Sequence, residues 1–233
     1  KHISTKQLKK EIQYNHKGAD YNDTLIWESP EGIKIRPFYH ADEMSENLYL
    51  STKTASFKIC QNIFVFDVEK SVRRSLETLQ RGAESLRFTI EDSNVDLNTL
   101  LDSLPLETAT IYFNLGFLDV NFVQKLNEIA KKRQATFYVL LDPIHQLGKE
   151  GNWFTDLNTD IEILNQIKNT CSSINFLSIN GSLYQNAGAT MVQQIAYMAS
   201  HVTEYFNRIS NLSGTVVLEV AVGSHYFFEI AKL

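Results

Sequence analysis

The chain has 233 residues, a mass of 26.7 kDa and a formal net charge of −5, from 22 Lys and Arg against 27 Asp and Glu. With 43% hydrophobic and 21% charged residues, the composition excludes a wholly disordered protein. The mild acidity argues against a nucleic-acid-binding protein, which needs clustered Lys and Arg to neutralise phosphates. No run approaches the ~18 consecutive apolar residues of a membrane span. We therefore expect a soluble protein of one large or two small domains.

The cysteines and histidines predict neither a disulfide framework nor a metal site. Cys60 and Cys171 are far apart in the sequence, and no two of the six histidines have metal-ligand spacing. We expect two free thiols in a reducing compartment, which favours a cytoplasmic protein. The opening residues, KHISTKQ, include neither the apolar segment of a signal peptide nor an initiator Met. This start predicts a processed chain or part of a longer one.

Residues 1–55 are predicted to form an amino-terminal arm. Ser4 can cap a helix that runs from Thr5 to about Tyr14. Two short extended runs flank the turn-forming residues 29–32, with the sequence SPEG, which indicates a hairpin. The arm is too short to close a core of its own, so it must pack on the following domain or on another chain.

Three large apolar side chains in this arm are candidates for contact with a partner subunit. They are Trp27, Phe38 and Tyr39, and aromatic residues often anchor protein interfaces. Docking of the arm on its own following domain is an equally open alternative.

Residues 56–233 repeat a strand followed by a helix six times, with mostly short connections. This order predicts a parallel sheet in an α/β fold, because strand–helix–strand units have right-handed crossovers. Six units are two short of a closed (β/α) barrel, so we expect a partial TIM-type barrel that continues beyond this chain. The predicted strands are Phe57–Cys60, Leu86–Ile90, Thr110–Asn114, Thr136–Leu141, Ile174–Asn180 and Val216–Val222. The predicted helices are Val68–Arg81, Leu97–Leu104, Val120–Lys132, Asp160–Cys171, Met191–Arg208 and Tyr226–Leu233.

Several predicted strands alternate polar and apolar residues, whereas parallel strands covered on both faces are usually continuously apolar. By the two-residue period of a strand, these polar residues should point to the barrel axis. Charges placed there should be paired or hydrated. In the alternative interpretation the strands are shorter, and the same residues lie at wet strand ends. The axis candidates are Lys58, Arg87, Ser178, Asn180 and Glu219.

Local motifs give no complete active site. Residues 142–148 read D-x-x-H-x-x-G, one residue longer than the D-x-H-x-x-G loop that places a histidine under cobalt in many cobalamin proteins. We therefore interpret His145 as a loop residue. Glu91 and Asp92 form a carboxylate pair after the second strand, but solvated loop acids are commoner. The serines near strand ends, none of them in a G-x-S-x-G elbow, are Ser178, Ser182 and Ser224.

Three segments together resemble the methylmalonyl-CoA mutase family. They are residues 177–190 (LSINGSLYQNAGAT), 27–33 (WESPEGI) and 227–233 (FFEIAKL), so the resemblance spans nearly the whole chain. It implies a (β/α) barrel whose axis is lined by small polar residues, between which the pantetheine of coenzyme A threads. It also implies a radical rearrangement between methylmalonyl-CoA and succinyl-CoA that uses adenosylcobalamin.

The motif that identifies the family is degenerate in this chain. In catalytic members of the family it reads I-S-G-Y-H-M-Q-E-A-G-A, and its histidine donates a hydrogen bond to the substrate carbonyl. The positions that agree are Gly181, Gln185, Ala187, Gly188 and Ala189. Ser182 stands in place of the tyrosine, Leu183 in place of the histidine and Asn186 in place of the glutamate. Leucine has no hydrogen-bond donor, so the polarisation of the carbonyl is lost.

The resemblance therefore implies a non-catalytic small subunit that forms a heterodimer with a catalytic large subunit. On this interpretation the chain has a structural role, is inactive alone and binds no cofactor or metal, while adenosylcobalamin is held by the large subunit. A catalytically competent or regulatory homologue that acts on a different CoA ester remains the alternative.

Overall fold

A computed structural model describes residues 4–40, 56–212 and 214–233. The chain divides into two compact units, Lys1–Ala55 and Ser56–Leu233.

The first unit contains two short helices and a two-stranded antiparallel hairpin. Its elements are α1 (Thr5–Asn15), α2 (Tyr21–Leu25), β1 (Trp27–Glu28) and β2 (Lys34–Ile35). The side chain of Ser4 accepts a hydrogen bond from the Gln7 backbone N–H, and the Gln7 side chain accepts one from the Ser4 N–H, which forms a capping box. The predicted helix and hairpin are therefore confirmed.

The aromatic side chains of this unit differ in exposure. Trp27 is 47% exposed and Tyr39 is 61% exposed. Phe38 packs edge-on against Tyr21, with 6.2 Å between the ring centroids. The guanidinium of Arg36 lies 4.7 Å from the Tyr39 ring centroid. Two of the three interface candidates therefore present large apolar surfaces within this unit.

The second unit is a parallel sheet of six strands that are neighbours in sequence order, as predicted from the strand–helix repeat. It forms a partial TIM-type barrel of six strand–helix units. The strands are β3 (Cys60–Phe64), β4 (Ser85–Ile90), β5 (Thr110–Leu115), β6 (Phe137–Leu141), β7 (Asn175–Asn180) and β8 (Val216–Glu219). The helices are α3 (Val68–Gln80), α4 (Leu97–Leu101), α5 (Val120–Arg133), α6 (Pro143–Glu150), α7 (Leu157–Thr170), α8 (Ser182–Asn186), α9 (Met191–Arg208) and α10 (Tyr226–Lys232).

The first strand of this sheet is displaced from its prediction. The apolar run Phe57–Cys60 was expected to form it, but β3 begins at Cys60, and Phe57 and Ile59 are 83% and 56% exposed. The observed strand is the segment that pairs with the backbone of β4, in which Asn62 lies opposite Arg87. Because β3 has only one neighbour among the described strands, its polar residues remain accessible to solvent.

The core lies between the outer face of the sheet and the helices. Phe88, Phe113 and Phe137 come from three neighbouring strands and are at most 1% exposed. Their ring centroids lie 6.0 Å apart between the first and second, and 5.1 Å apart between the second and third. Since every second residue of a strand faces this core, the residues between them face the barrel axis.

Candidate functional site

A cavity of about 710 Å³ lies at the carboxyl ends of the parallel strands. This is the end of a (β/α) barrel at which active sites form, because the loops after the strands meet there. Residues that follow β4, β5, β6 and β7 contribute to its wall, together with helices α6 and α8. The volume falls within the ~300–1,000 Å³ of typical small-molecule sites.

Leu183 lies in the wall of this cavity, on helix α8. It packs closely against Gly148 of helix α6. A Cβ atom added to this glycine would lie only 2.7 Å from Leu183 Cδ2. Ser182 and Asn186, the other two departures from the family motif, line the same cavity. The Ser182 hydroxyl donates its hydrogen bond to Asn180 Oδ1 and not to a general base, so it is not activated as a nucleophile.

His145 is a helix residue, not the loop residue that the sequence suggested. Pro143 starts α6, and Asp142 caps it by accepting a hydrogen bond from the His145 N–H at 3.0 Å. The prediction rested on the D-x-x-H-x-x-G spacing and was wrong because Asp142 followed by Pro143 is a helix start. His145 lines the cavity, and its buried Nδ1 atom has no hydrogen-bond partner among the described residues.

Arg87 and Glu219 form an ion pair on the axis face of the sheet. They come from β4 and β8, four steps apart in the strand order, which corresponds to ~19 Å in a flat sheet with strands ~4.8 Å apart. Their side chains meet because the sheet curls as in a barrel. They are 23% and 17% exposed, so the pair crosses the interior of the curled sheet.

The remaining axis candidates lie at two different ends of the sheet. Lys58 precedes β3, and its Nζ donates a hydrogen bond to Thr110 Oγ1 at 2.9 Å, at the amino end of β5. Ser178 and Asn180 lie on β7 and line the cavity together with Glu219. The structure therefore brings three of the five candidates together at the cavity and places Lys58 at the opposite end of the strands.

The charges around the cavity are mostly compensated. Lys149 Nζ lies 2.7 Å from Glu150 Oε1, and this contact raises the pKa of the Lys149 ammonium. Glu91 also lines the cavity and lies so close to Gly116 that a Cβ atom there would clash with its carboxylate. Asp92 accepts hydrogen bonds from Asn94 within its own loop, which agrees with the favoured interpretation of Glu91 and Asp92 as loop acids.

Asp142 is the centre of a buried polar network that the sequence did not reveal. Its Oδ2 accepts from the Asn180 N–H at 2.8 Å, and its Oδ1 accepts from the Tyr205 hydroxyl at 2.8 Å. His201 Nε2 lies 2.8 Å from the same Oδ1. Burial, reinforced by the Asp142 charge, raises the pKa of the Tyr205 hydroxyl, so this group stays protonated as a donor. The i, i+4 spacing of His201 and Tyr205 predicts that both side chains lie on one face of α9, but it does not identify Asp142 as the residue that they contact.

A second buried network joins α10 to the carboxyl ends of β7 and β8. Glu229 and Lys232 form an ion pair, with side chains 6% and 1% exposed. Lys232 Nζ also donates to Gln194 Oε1 at 2.9 Å and to the Ala221 carbonyl at 2.6 Å. Burial alone would raise the pKa of Glu229, but Lys232 and a hydrogen bond from the Gly223 backbone outweigh it and hold the pKa below its usual range.

We expect this pair to make stability depend on acid pH. A carboxylate with a lowered folded pKa stabilises the protein above its unfolded pKa of ~4.3 and loses that effect as the pH falls through the folded pKa. Glu229→Gln should therefore lower the free energy of unfolding at pH 7, and the gap to the unmodified chain should narrow below about pH 4. Urea unfolding at a series of pH values measures both.

The matched control is Glu204→Gln, which removes an exposed carboxylate from its pair with Arg208. That variant should keep the pH dependence of the unmodified chain, because exposed pairs contribute little. An equal gap between Glu229→Gln and the unmodified chain at every pH would contradict the assignment.

Within residues 4–40, 56–212 and 214–233, no group of three His, Cys, Asp or Glu side chains could hold a metal ion. Among these residues, no helix is both long and apolar enough to cross a membrane.

The chain is similar in sequence to known proteins. The sequence model of the family described as methylmalonyl-CoA mutase matches residues 89–233. The methylmalonyl-CoA mutase small subunit of Porphyromonas gingivalis (strain ATCC BAA-308 / W83) is 21% identical over 251 residues, with 93% of this chain and 40% of the relative covered. The methylmalonyl-CoA mutase of Rhizobium meliloti (strain 1021) is 21% identical over 267 residues, with coverages of 90% and 37%. The chain therefore spans about two fifths of the length of these curated relatives.

Among solved structures, a mandelate racemase/muconate lactonizing enzyme from Roseiflexus sp. aligns with 72% of this chain and 49% of its own, at a TM-score of 0.42 and 12% identity. A likeness this low supports no conclusion about function.

The family match extends from within strand β4 to the end of the chain and includes both helices that wall the cavity. It covers well over half of the sequence, and it contains the degenerate motif around Leu183. On these grounds the chain belongs to the methylmalonyl-CoA mutase family.

Proposed function

We propose that this chain is the small, non-catalytic subunit of an adenosylcobalamin-dependent methylmalonyl-CoA mutase, and that it stabilises the large subunit that carries the reaction. The observation that carries this proposal is Leu183, which lies in the cavity wall where the family motif has its histidine. An aliphatic side chain donates no hydrogen bond, so the thioester carbonyl would lose its electrostatic stabilisation.

Two further observations support the proposal that this cavity does not bind the family's substrate. The Arg87–Glu219 ion pair crosses the axis along which a pantetheine chain would thread. The acyl groups of methylmalonyl-CoA and succinyl-CoA each carry a carboxylate, and Lys149, the one Lys or Arg in the cavity wall of the described residues, is paired with Glu150. An unpaired cation is what a carboxylate ligand requires.

The assignment of adenosylcobalamin to the large subunit belongs to the same proposal. Many cobalamin proteins hold the cofactor with a loop histidine under cobalt. In this chain Asp142 caps a helix, and His145 lies inside that helix. The D-x-x-H segment therefore does not fit such a loop.

The direct test is to titrate the isolated chain with succinyl-CoA and with adenosylcobalamin. We expect no saturable binding of either compound, and we expect the large subunit to be more stable and more active when the chain is added. Saturable binding of either compound to the isolated chain would overturn the proposal.

A second candidate function is favoured by one observation, the histidine ring of His145 in the cavity wall. Its buried Nδ1 atom has no partner among the described residues, so the ring could supply the polar group that Leu183 lacks. On this hypothesis the chain is itself a mutase or a regulatory homologue with a different CoA ester. Turnover without a large subunit, abolished by His145→Phe, would favour it.

We also propose that the amino-terminal arm contacts the large subunit through Trp27, Phe38 and Tyr39. Joint replacement of the exposed Trp27 and Tyr39 by Ala should weaken co-purification of the two subunits at least ~10-fold, because aromatic anchors each contribute ~2 kcal/mol or more to an interface. Tyr14→Ala, which removes an aromatic ring 82% exposed in the same unit, is the control. Unchanged co-purification of the double variant would favour docking of the arm within its own chain.

A further inference from the structure

Ser178 carries an unexplained hydroxyl group. The residue is 1% exposed, yet its side chain forms no hydrogen bond with any residue in the described parts of the chain. Its neighbours Leu177 and Ile179 point into the core, so the Ser178 side chain faces the axis and lines the cavity. In the same wall the buried Nδ1 atom of His145 has no partner among the described residues, and a buried polar group without a partner costs ~1–3 kcal/mol, which a ligand hydroxyl would recover.

Further polar groups in the same wall are also available to a ligand. The side-chain amides of Asn114, Gln146 and Asn186 form no hydrogen bonds with the described residues, and neither does Nδ1 of His145. Amide groups donate and accept hydrogen bonds, as do hydroxyl groups. A wall of this kind matches a ligand that offers several groups of both kinds within a short distance.

The charges of the wall select against ionic ligands. Lys149 is paired with Glu150 and Glu219 with Arg87, while Asp142 accepts three hydrogen bonds and has the His201 ring 2.8 Å from its Oδ1. An anion therefore finds no free cation in the described wall. A cation finds a single unpaired carboxylate, that of the exposed rim residue Glu91.

We propose that this cavity binds a small, uncharged polyhydroxylated molecule of about monosaccharide size. Ser178 and His145 supply buried hydrogen-bonding groups, and the amides of Asn114, Gln146 and Asn186 bind the remaining hydroxyls. The cavity volume of about 710 Å³ accommodates such a ligand. The inference concerns a ligand other than a CoA ester, so it stands or falls independently of the subunit role.

The test is ligand-observed NMR of the chain with myo-inositol and glucose as neutral polyols, succinate as the anion and putrescine as the cation. We expect saturable binding of at least one polyol, and none of succinate or putrescine, below ~10 mM. Ser178→Ala and Asn114→Ala should each weaken polyol binding ~5–10-fold, the equivalent of one hydrogen bond.

Asn158→Ala is the matched control, because this exposed residue on α7 lies outside the cavity. Circular dichroism and melting temperature establish that all three variants are folded. The proposal is overturned when no polyol binds, when only succinate or putrescine binds, or when Asn158→Ala weakens binding as much as the two cavity variants do. Succinyl-CoA binding would instead contradict the non-catalytic role, so the two failures are distinguishable.

Discussion

Asp142→Ala should lower the free energy of unfolding by ~3 kcal/mol or more, because each donor left without its acceptor costs ~1–3 kcal/mol. Three donors converge on this carboxylate, the Asn180 N–H, the His145 N–H and the Tyr205 hydroxyl, and Nε2 of His201 lies 2.8 Å from its Oδ1. Truncation to Ala leaves all of them buried without an acceptor. Urea unfolding followed by circular dichroism measures the loss.

Asp119→Ala is the matched control for this prediction. Asp119 also caps a helix after a strand, but it accepts one hydrogen bond, from the Phe122 N–H. Loss of such a cap costs ~1 kcal/mol. Tyr205→Phe removes one donor to Asp142 and the acceptor of the Ile144 N–H, so it should cost ~1–2 kcal/mol and should remain folded even when Asp142→Ala does not. Equal costs for Asp142→Ala and Asp119→Ala would contradict the proposed network.

The regular part of the second unit could be predicted from sequence because its signals are local. The helix Met191–Arg208 was predicted with its observed bounds, since Thr190 and Gln193 form a capping box before an amphipathic run. The strands around Phe88 and Phe113 were found because every second residue is buried. Each of these signals lies within a few neighbouring residues, so it can be recognised from the sequence alone.

The candidate site depends on contacts between distant parts of the chain, which single-sequence patterns do not contain. The Asp142–Tyr205 hydrogen bond spans 63 residues, and the Arg87–Glu219 pair spans 132. The alternation of polar residues placed Arg87 and Glu219 on the axis face and required charges there to be paired or hydrated, but it did not identify them as each other's partner. Helix α6 was missed because residues 142–148 were compared only with a cobalamin loop, and the helix-start signal of Asp142 and Pro143 was not considered.

Restoring the missing donor should not restore catalysis. We expect the isolated Leu183→His variant, assayed with methylmalonyl-CoA and adenosylcobalamin, to show turnover at background. One oxyanion-type donor contributes ~100–1,000-fold to turnover, but only for a substrate that is already bound. The Arg87–Glu219 pair still crosses the axis. This obstacle acts before the carbonyl could meet a histidine at position 183.

The matched comparison is Leu183→Ala, which removes the aliphatic side chain without adding a donor. Assembled with the large subunit, Leu183→His and Leu183→Ala should both leave the turnover of the complex unchanged, because under the proposed function the chemistry lies in the other chain. Measurable turnover by isolated Leu183→His, with none from Leu183→Ala, would show that this one side chain separates the subunit from an active mutase. In that case the ion pair on the axis must open to admit the thioester, and Arg87→Ala should raise the rate of the Leu183→His variant further.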